Sequence, residues 1–549
     1  MTKTTKFLCC FLGLFIFCNT YSQHPAQLSG SKEDEMVTSV KADSQQVKQD
    51  QVKQDVNQSK QDVNQSKPAD NKFSSFLYRL FLKKKKTDSI TQTKAVSDVP
   101  AAGVSEPFAF GDFSWLNGMS RKTTPPAFDS KYFTGDVTFD LNYSHSFNNP
   151  IDNTVVGSTA LARNNELQLS FLGMGGDIHI NNVRGRIMTQ FGTRSTVVPR
   201  NDGSSYKGQY DMQTIYRYIS EAYAGYHWNK WHGINLDAGI FMSYIGLFSY
   251  NNFENWGYQP SYTSDNTPWF FNGLRLQTFP TDKLKVELWL INGWQTYGRF
   301  NKMPGMGFSI YYRPKETVDY VSNFYFGKDD QDAPKRYRIH SDNSYELRYY
   351  NNPKSKFVTR AAFSITGDFG FENGNGVSPF GKTDPKTQQK LPAQNFISGM
   401  IYNRLWFGER FAWTIGGGYI HNPGQYLVLA PTGYADTLFQ AQTGPGSTFN
   451  AWDCSTTFDY MPSQNLTLRL EFVHRAILDL GAAPGTTPLN GYFAGAGGVS
   501  SPDGFTNNGG YTYASNGASI APPLSSWGGW MPDLRKAESR LVLAFLVRF

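Results

Sequence analysis

The sequence predicts a membrane-spanning, all-β fold: an antiparallel up-and-down barrel of about sixteen strands, preceded by a disordered N-terminal segment. Three observations carry this. Beyond the N-terminus no stretch approaches the roughly 20 consecutive apolar residues that a spanning helix needs. From Tyr132 onward apolar residues recur with period two, the spacing of a strand with two unlike faces. Short turn-like connectors alternate with longer Gly/Asn/Ser-rich segments. Apolar content of 39 % and charged content of 18 % allow a buried core and exclude disorder throughout. The formal charge of +7 is mild and scattered, which argues against a nucleic-acid partner.

Residues 1–22 read as a secretory signal. Lys3 and Lys6 form the basic start, Phe7 to Cys18 the apolar stretch, and Thr20 and Ser22 the small residues before cleavage at Gln23. Three of the four cysteines leave with it, so Cys454 remains and no internal disulfide holds the exported chain. Residues 23–107 are polar and repetitive, with VKQD at 47–50 and 52–55 and DVNQSK at 55–60 and 62–67. Such a stretch cannot repay its ordering entropy and reads as a periplasmic linker. A basic-amphipathic island, FSSFLYRLFLKKKK at 73–86, interrupts it. It suits a short interfacial helix near anionic lipid or a plug element, and equally a loosely structured sticky segment.

Residues 108–549 carry the barrel. Phe133, Val137, Phe139, Leu141, Tyr143 and Phe147 alternate with Thr134, Asp136, Thr138, Asp140, Asn142, Ser144 and Ser146. Leu284, Val286, Leu288 and Leu290 share one face opposite Lys285 and Glu287, and Leu466, Leu468, Leu470 and Phe472 oppose Thr467, Arg469 and Glu471. A soluble sandwich also alternates, but its strands run to about five or six residues. Tyr132–Phe147 and Ile215–Trp228 are long enough to cross a bilayer at a tilt.

Seven short connectors, near Asn181-Asn182, Asn229–Gly233, Pro280–Lys283, Pro314–Thr317, Asn352–Lys356, Gly408–Arg410 and Pro462–Asn465, alternate with eight longer ones. The longer segments lie near 148–164, 196–211, 248–267, 297–303, 327–342, 373–392, 422–450 and 479–536. That pattern needs sixteen strands, with fourteen or eighteen as the neighbouring counts, and it matches the short turns and long external loops of outer-membrane barrels. Closure also satisfies every backbone group inside lipid. The chain ends RLVLAFLVRF, with Leu541, Leu543, Phe545, Val547 and Phe549 on one face. An aromatic last residue, Phe549, resembles the signal by which such barrels engage the insertion machinery.

The stretches GRIMTQFG (185–192), YRYISEAYAGYHWN (216–229), GINLDAGIFMSYIGLFSYNNFENWGYQPSY (233–262), NTPWFFNGLRLQTFPTDKLKVELWLINGWQ (266–295), GGGYIHNPGQYLVL (416–429) and TFDYMPSQNLTLRLEF (457–472) resemble the OmpL-like β-barrel porin-2 family. The resemblance covers roughly Phe110 to Phe549. It implies a location in the outer membrane of a Gram-negative bacterium and a porin role, with no catalytic motif and no assigned solute.

Enzyme chemistry has no supportable constellation. There is no HExxH, CxxC pair or GxSxG elbow. Ser144 and His145 are neighbours on opposite faces, and His474 shares the lipid face of Leu470 and Phe472. Asp329, Asp330 and Asp332 could ligate calcium, but a solvated loop is the favoured reading. The sequence therefore predicts no enzyme, no cofactor and no metal.

The inward series is more informative. On the strand register it comprises Arg184, Arg186, Arg217, Arg275, Lys285, Arg313, Arg348, Arg360, Arg404 and Arg469. Glu221, Asp237, Glu287, Glu346, Asp368 and Glu471 accompany them. Charges of both signs suit a wet interior, either as cross-strand ion pairs or as a selectivity lining. The basic excess weakly favours anions. Tyr226, Trp228 and Trp231 at one turn, and Trp406, Phe407 and Phe411 at another, suit an aromatic girdle. The third external loop is the expected constriction, with Trp256 anchoring and Glu254 and Asp265 acidic, opposed by Arg217 and Arg275. The expected function is passive diffusion of small hydrophilic solutes or ions; the alternative is a binding or scaffold barrel with a blocked lumen, acting through its external loops. The expected partners are outer-membrane lipid, the insertion machinery and the solute, and a homo-oligomer is compatible with the architecture.

Overall fold

The computed structural model describes residues 105–204, 209–299, 301–330, 333–424, 426, 445–481, 491–499, 512–513, 519–520 and 531–549. The signal, nearly all of the linker and the 73–86 island lie outside them. Sixteen strands close into one antiparallel barrel, each paired with its sequence neighbours and the last with the first. The first eight are β1 (Phe133–Ser146), β2 (Leu167–Ile180), β3 (Val183–Thr189), β4 (Ile219–Trp228), β5 (Ile234–Met242), β6 (Phe270–Thr281), β7 (Leu284–Ile291) and β8 (Gly305–Lys315). The second eight are β9 (Val318–Gly327), β10 (Tyr337–Asn351), β11 (Arg360–Asn373), β12 (Asn395–Phe407), β13 (Phe411–Asn422), β14 (Phe449–Ser463), β15 (Leu466–Leu480) and β16 (Ala537–Arg548). Seam pairs include Phe139 with Val547 and His145 with Leu541. None of the helices among the described residues is long and apolar enough to cross a membrane; the strands do so.

Period two decides which way each side chain points. Tyr143, Leu468, Leu470, Leu543 and Phe545 are exposed on the outer wall, while Asp140, Asn142, Arg469, Glu471 and Ala544 between them are buried inside. A soluble protein seldom exposes so much contiguous apolar surface; here it is the lipid-facing belt. Turn chemistry fixes the register. Asn181, between β2 and β3, takes a φ of 54°, which asparagine tolerates better than most side chains.

Two expectations shift. Residues 215–216 lie in a helical turn, Met212–Tyr216, so β4 starts at Ile219 and Arg217 belongs to the loop end of the barrel rather than to its wall. Trp406 points inward with Arg404 and is buried against Trp256, so it does not join the girdle; Tyr226, Trp228, Trp231 and Phe411 are exposed.

Candidate channel interior

The connection between β5 and β6, residues 243–269, folds into the barrel. Its aromatic residues Tyr250, Phe253, Trp256, Tyr258 and Tyr262 are all buried. An irregular segment taken out of water must find partners for its backbone groups. The wall supplies them with charge. Arg469 on β15 donates to the carbonyls of Asn252 (3.1 Å), Gly257 (2.8 Å) and Asn255 (2.6 Å). Arg404 on β12 donates to the Trp256 carbonyl at 3.2 Å. Conversely, Glu471 accepts from the backbone N–H of Tyr258 (2.5 Å) and Gln259 (2.7 Å), and Asp453 accepts from the Tyr262 N–H and the Ser261 hydroxyl, both at 2.8 Å. Asp459 joins Arg404 and Arg469, each at 2.7 Å, so this block of charge is internally paired.

Glycine makes the close approach achievable. A Cβ on Gly418, on the inner face of β13, would stand 2.2 Å from the Ser261 hydroxyl. Burial pushes the Tyr258 phenol well above its ordinary pKa, so it stays protonated and donates to Asp140 at 2.9 Å.

Glu254 and Asp265 do not face Arg217 and Arg275. The loop crosses the lumen and docks on the β12–β2 wall, so Glu254 pairs with Arg548 and Asp265 with Arg475 at 2.6 Å. Asp265 also accepts from the Thr159 hydroxyl at 2.6 Å and is buried. Arg275 instead pairs with Asp237 at 2.8 Å and lies over the rings of Tyr223, Phe241 and Trp289.

The inward charges thus divide into two sets. Arg348, Arg404, Arg469 and Arg475 keep only 2–4 % of their side-chain surface exposed, and Glu471 and Glu287 are equally buried. Arg184, Arg186, Glu221, Arg275, Lys285 and Arg360 keep 13–29 %. Five of the six sit on β3–β7, Arg184 and Lys285 beside the turns, Arg186 and Arg275 near mid-strand and Glu221 toward the loop end. Arg186 there binds Asp136 (2.9 Å), Asp177 (2.8 Å) and Glu221 (2.7 Å). Each of its basic members has a carboxylate within 4 Å, so the basic excess read from the sequence does not translate into unopposed positive charge.

Three groups escaped the sequence reading. Arg475 and Arg540 grip residues of the inserted loop, and both share the inward parity of their strands. Residues 113–118, FSWLNG, precede the first strand and also enter the barrel; an apolar run between a polar linker and a strand was the available signal. Of the acidic run, Asp330 pairs with Arg336, Asp329 accepts from the Tyr325 hydroxyl at 2.7 Å, and Asp332 lies outside the described residues.

A family profile described as "Putative beta-barrel porin-2, OmpL-like" matches residues 133–497. No curated protein matches the chain. Among solved structures it is similar to the outer membrane channel DcaP of Acinetobacter baumannii, at 12 % identity and a TM-score of 0.42, over 77 % of this chain and 100 % of that one. It is also similar to outer-membrane expressed OmpT of Vibrio cholerae (7 %, 0.41, over 77 % and 99 %). A third is the anion-selective porin from Comamonas acidovorans (9 %, 0.38, over 76 % and 99 %). The profile match runs from β1 through β15, and the chain belongs to the OmpL-like β-barrel porin-2 family of outer-membrane proteins.

Proposed function

We propose that this barrel is a passive porin, admitting small hydrophilic solutes or ions along the wall of β3–β7. The observation that carries this reading is the division of the inward charges. Arg404, Arg469, Arg475 and Glu471 are sealed against the inserted loop, while Arg184, Arg186, Arg275 and Lys285 on β3–β7 keep part of their side chains exposed to the lumen. About sixteen strands is also the size at which side chains alone leave an aqueous passage. In this reading the chain is exported by cleavage after residue 22, residues 23–107 tether it on the periplasmic side, and its last strand engages the insertion machinery. Paired charges on the passage wall favour size over sign as the selective feature.

A second reading has its own observation. Trp115 and Trp256 meet inside the barrel and both are buried, which supports a blocked lumen and a barrel acting through its loops. Liposome swelling with sugars of graded size separates the two. The porin reading expects entry that falls with solute size. No entry of the smallest sugar or of ions into vesicles holding folded barrel overturns it.

A further inference from the structure

At the turn end, which is periplasmic in a barrel of this family, the segment just before β1 crosses the mouth. Phe108 N–H donates at 2.7 Å to the Asp282 carbonyl in the β6–β7 turn. Further along, Arg121 donates to the Ser463 carbonyl (3.1 Å), the Leu466 carbonyl (2.8 Å) and the Thr467 hydroxyl (2.9 Å) at the β14–β15 turn. Those two turns stand eight strands apart in a barrel of sixteen, so the segment spans a diameter.

Between its ends the segment dips into the lumen. The Asn117 N–H donates to Glu346 on β10 at 3.0 Å, and its side-chain oxygen accepts the Trp256 N–H at 2.7 Å. The Trp256 indole donates to the Trp115 carbonyl at 3.1 Å, and the Trp115 indole to the Glu316 carbonyl at 2.9 Å. Gly118, at a φ of 76°, lets the chain pass the third loop; a Cβ there would stand 2.3 Å from the Leu247 carbonyl oxygen. Asp112 reaches Arg348 (3.8 Å) and Arg360 (3.7 Å). The strap therefore crosses the turn-end mouth, held at its ends, at the knot of Trp115 and Asn117, and by Asp112 and the Arg313 guanidinium over Phe108 and Phe113.

We propose that residues 105–121 are a periplasmic plug, an autoinhibitory strap that closes on the third loop through Trp115 and Asn117 and narrows the passage. The proposal rests on the porin reading. Because the strap precedes the first strand and belongs to none of the sixteen, its withdrawal breaks no strand pairing.

The test is single-channel recording in planar bilayers of the full chain, a deletion of 105–121, and the Trp115→Ala/Asn117→Ala double variant. Folding of each is checked by the heat-dependent mobility shift of a closed barrel. The deletion is expected to raise unit conductance about twofold or more, with the double variant raising the open fraction. A synthetic peptide of residues 105–124 added to the deletion should lower the current from the turn side and not from the loop side. A folded deletion that conducts like its parent overturns the plug and leaves the porin reading standing. A peptide without effect from either side also overturns it, because the gain would then come from a loosened third loop. Silence from both folded proteins overturns the porin reading itself.

Discussion

Arg469 shows what a buried charge does in this wall. Its guanidinium holds three loop carbonyls and one carboxylate, and its planar fork suits that task better than a lysine would. Burying an ion is costly unless its partners are complete, and removing one partner of a buried pair typically costs about 3–5 kcal/mol. Arg469→Ala leaves Asp459 with Arg404 alone, takes this donor from the carbonyls of Asn255 and Gly257, and leaves the Asn252 carbonyl with only the Asn255 N–H. A loss of stability of about that size is expected in denaturant unfolding of the reconstituted barrel, together with noisier open-channel current. An unchanged midpoint and quiet current would show that the loop is held by its aromatic residues instead.

The third loop and the strap before β1 are held by different means. The third loop is fixed by buried charge on its inner run, whereas the strap is fixed at its ends, at Trp115 and Asn117, and by the half-exposed Asp112. A partly exposed carboxylate of the strap, Asp112, takes a part in docking that depends on pH. Burial pushes the Asp112 carboxyl up, but the bonds from Ser114 and the charges of Arg360 and Arg348 outweigh it and hold it below the usual range. A lowered folded value means that its contribution to docking is complete above the ordinary aspartate pKa of about 4. The contribution is then lost as pH falls through the lower folded value. Unit conductance of the parent should therefore rise on acidification below pH about 4. Asp112→Asn should lack that component and conduct more at neutral pH; a variant with the parent's acid response would remove Asp112 from the account.

At the scale of the whole molecule, strand period and connector length were enough to read the barrel, its closure and its strand number. Both are local consequences of one wall between lipid and interior. The site was only partly legible. Parity placed Arg469, Glu471 and Arg404 inside, but it cannot distinguish a charge facing water from one facing a folded-in loop; that depends on where residues 249–266 settle. The partners of Glu254 and Asp265 were misassigned for the same reason, since register says nothing about which wall a loop reaches. Trp406 was read from its nearness to a turn, although its parity with Arg404 already pointed inward.

Assembly belongs to this scale too. Phe549 donates its N–H to the Val137 carbonyl at 2.9 Å and lies near Phe139, yet 43 % of it stays exposed. Deleting it should scarcely change the unfolding of refolded barrel while sharply lowering its level in the outer membrane. Normal outer-membrane levels would count against an insertion role.

The central claim is that the third loop narrows a water-filled barrel from within. Unit conductance of the parent beside a deletion of residues 251–264 tests it most directly. Discrete steps are expected from the parent, and steps about two- to fivefold larger from the deletion. Equal steps from the two folded proteins would contradict it.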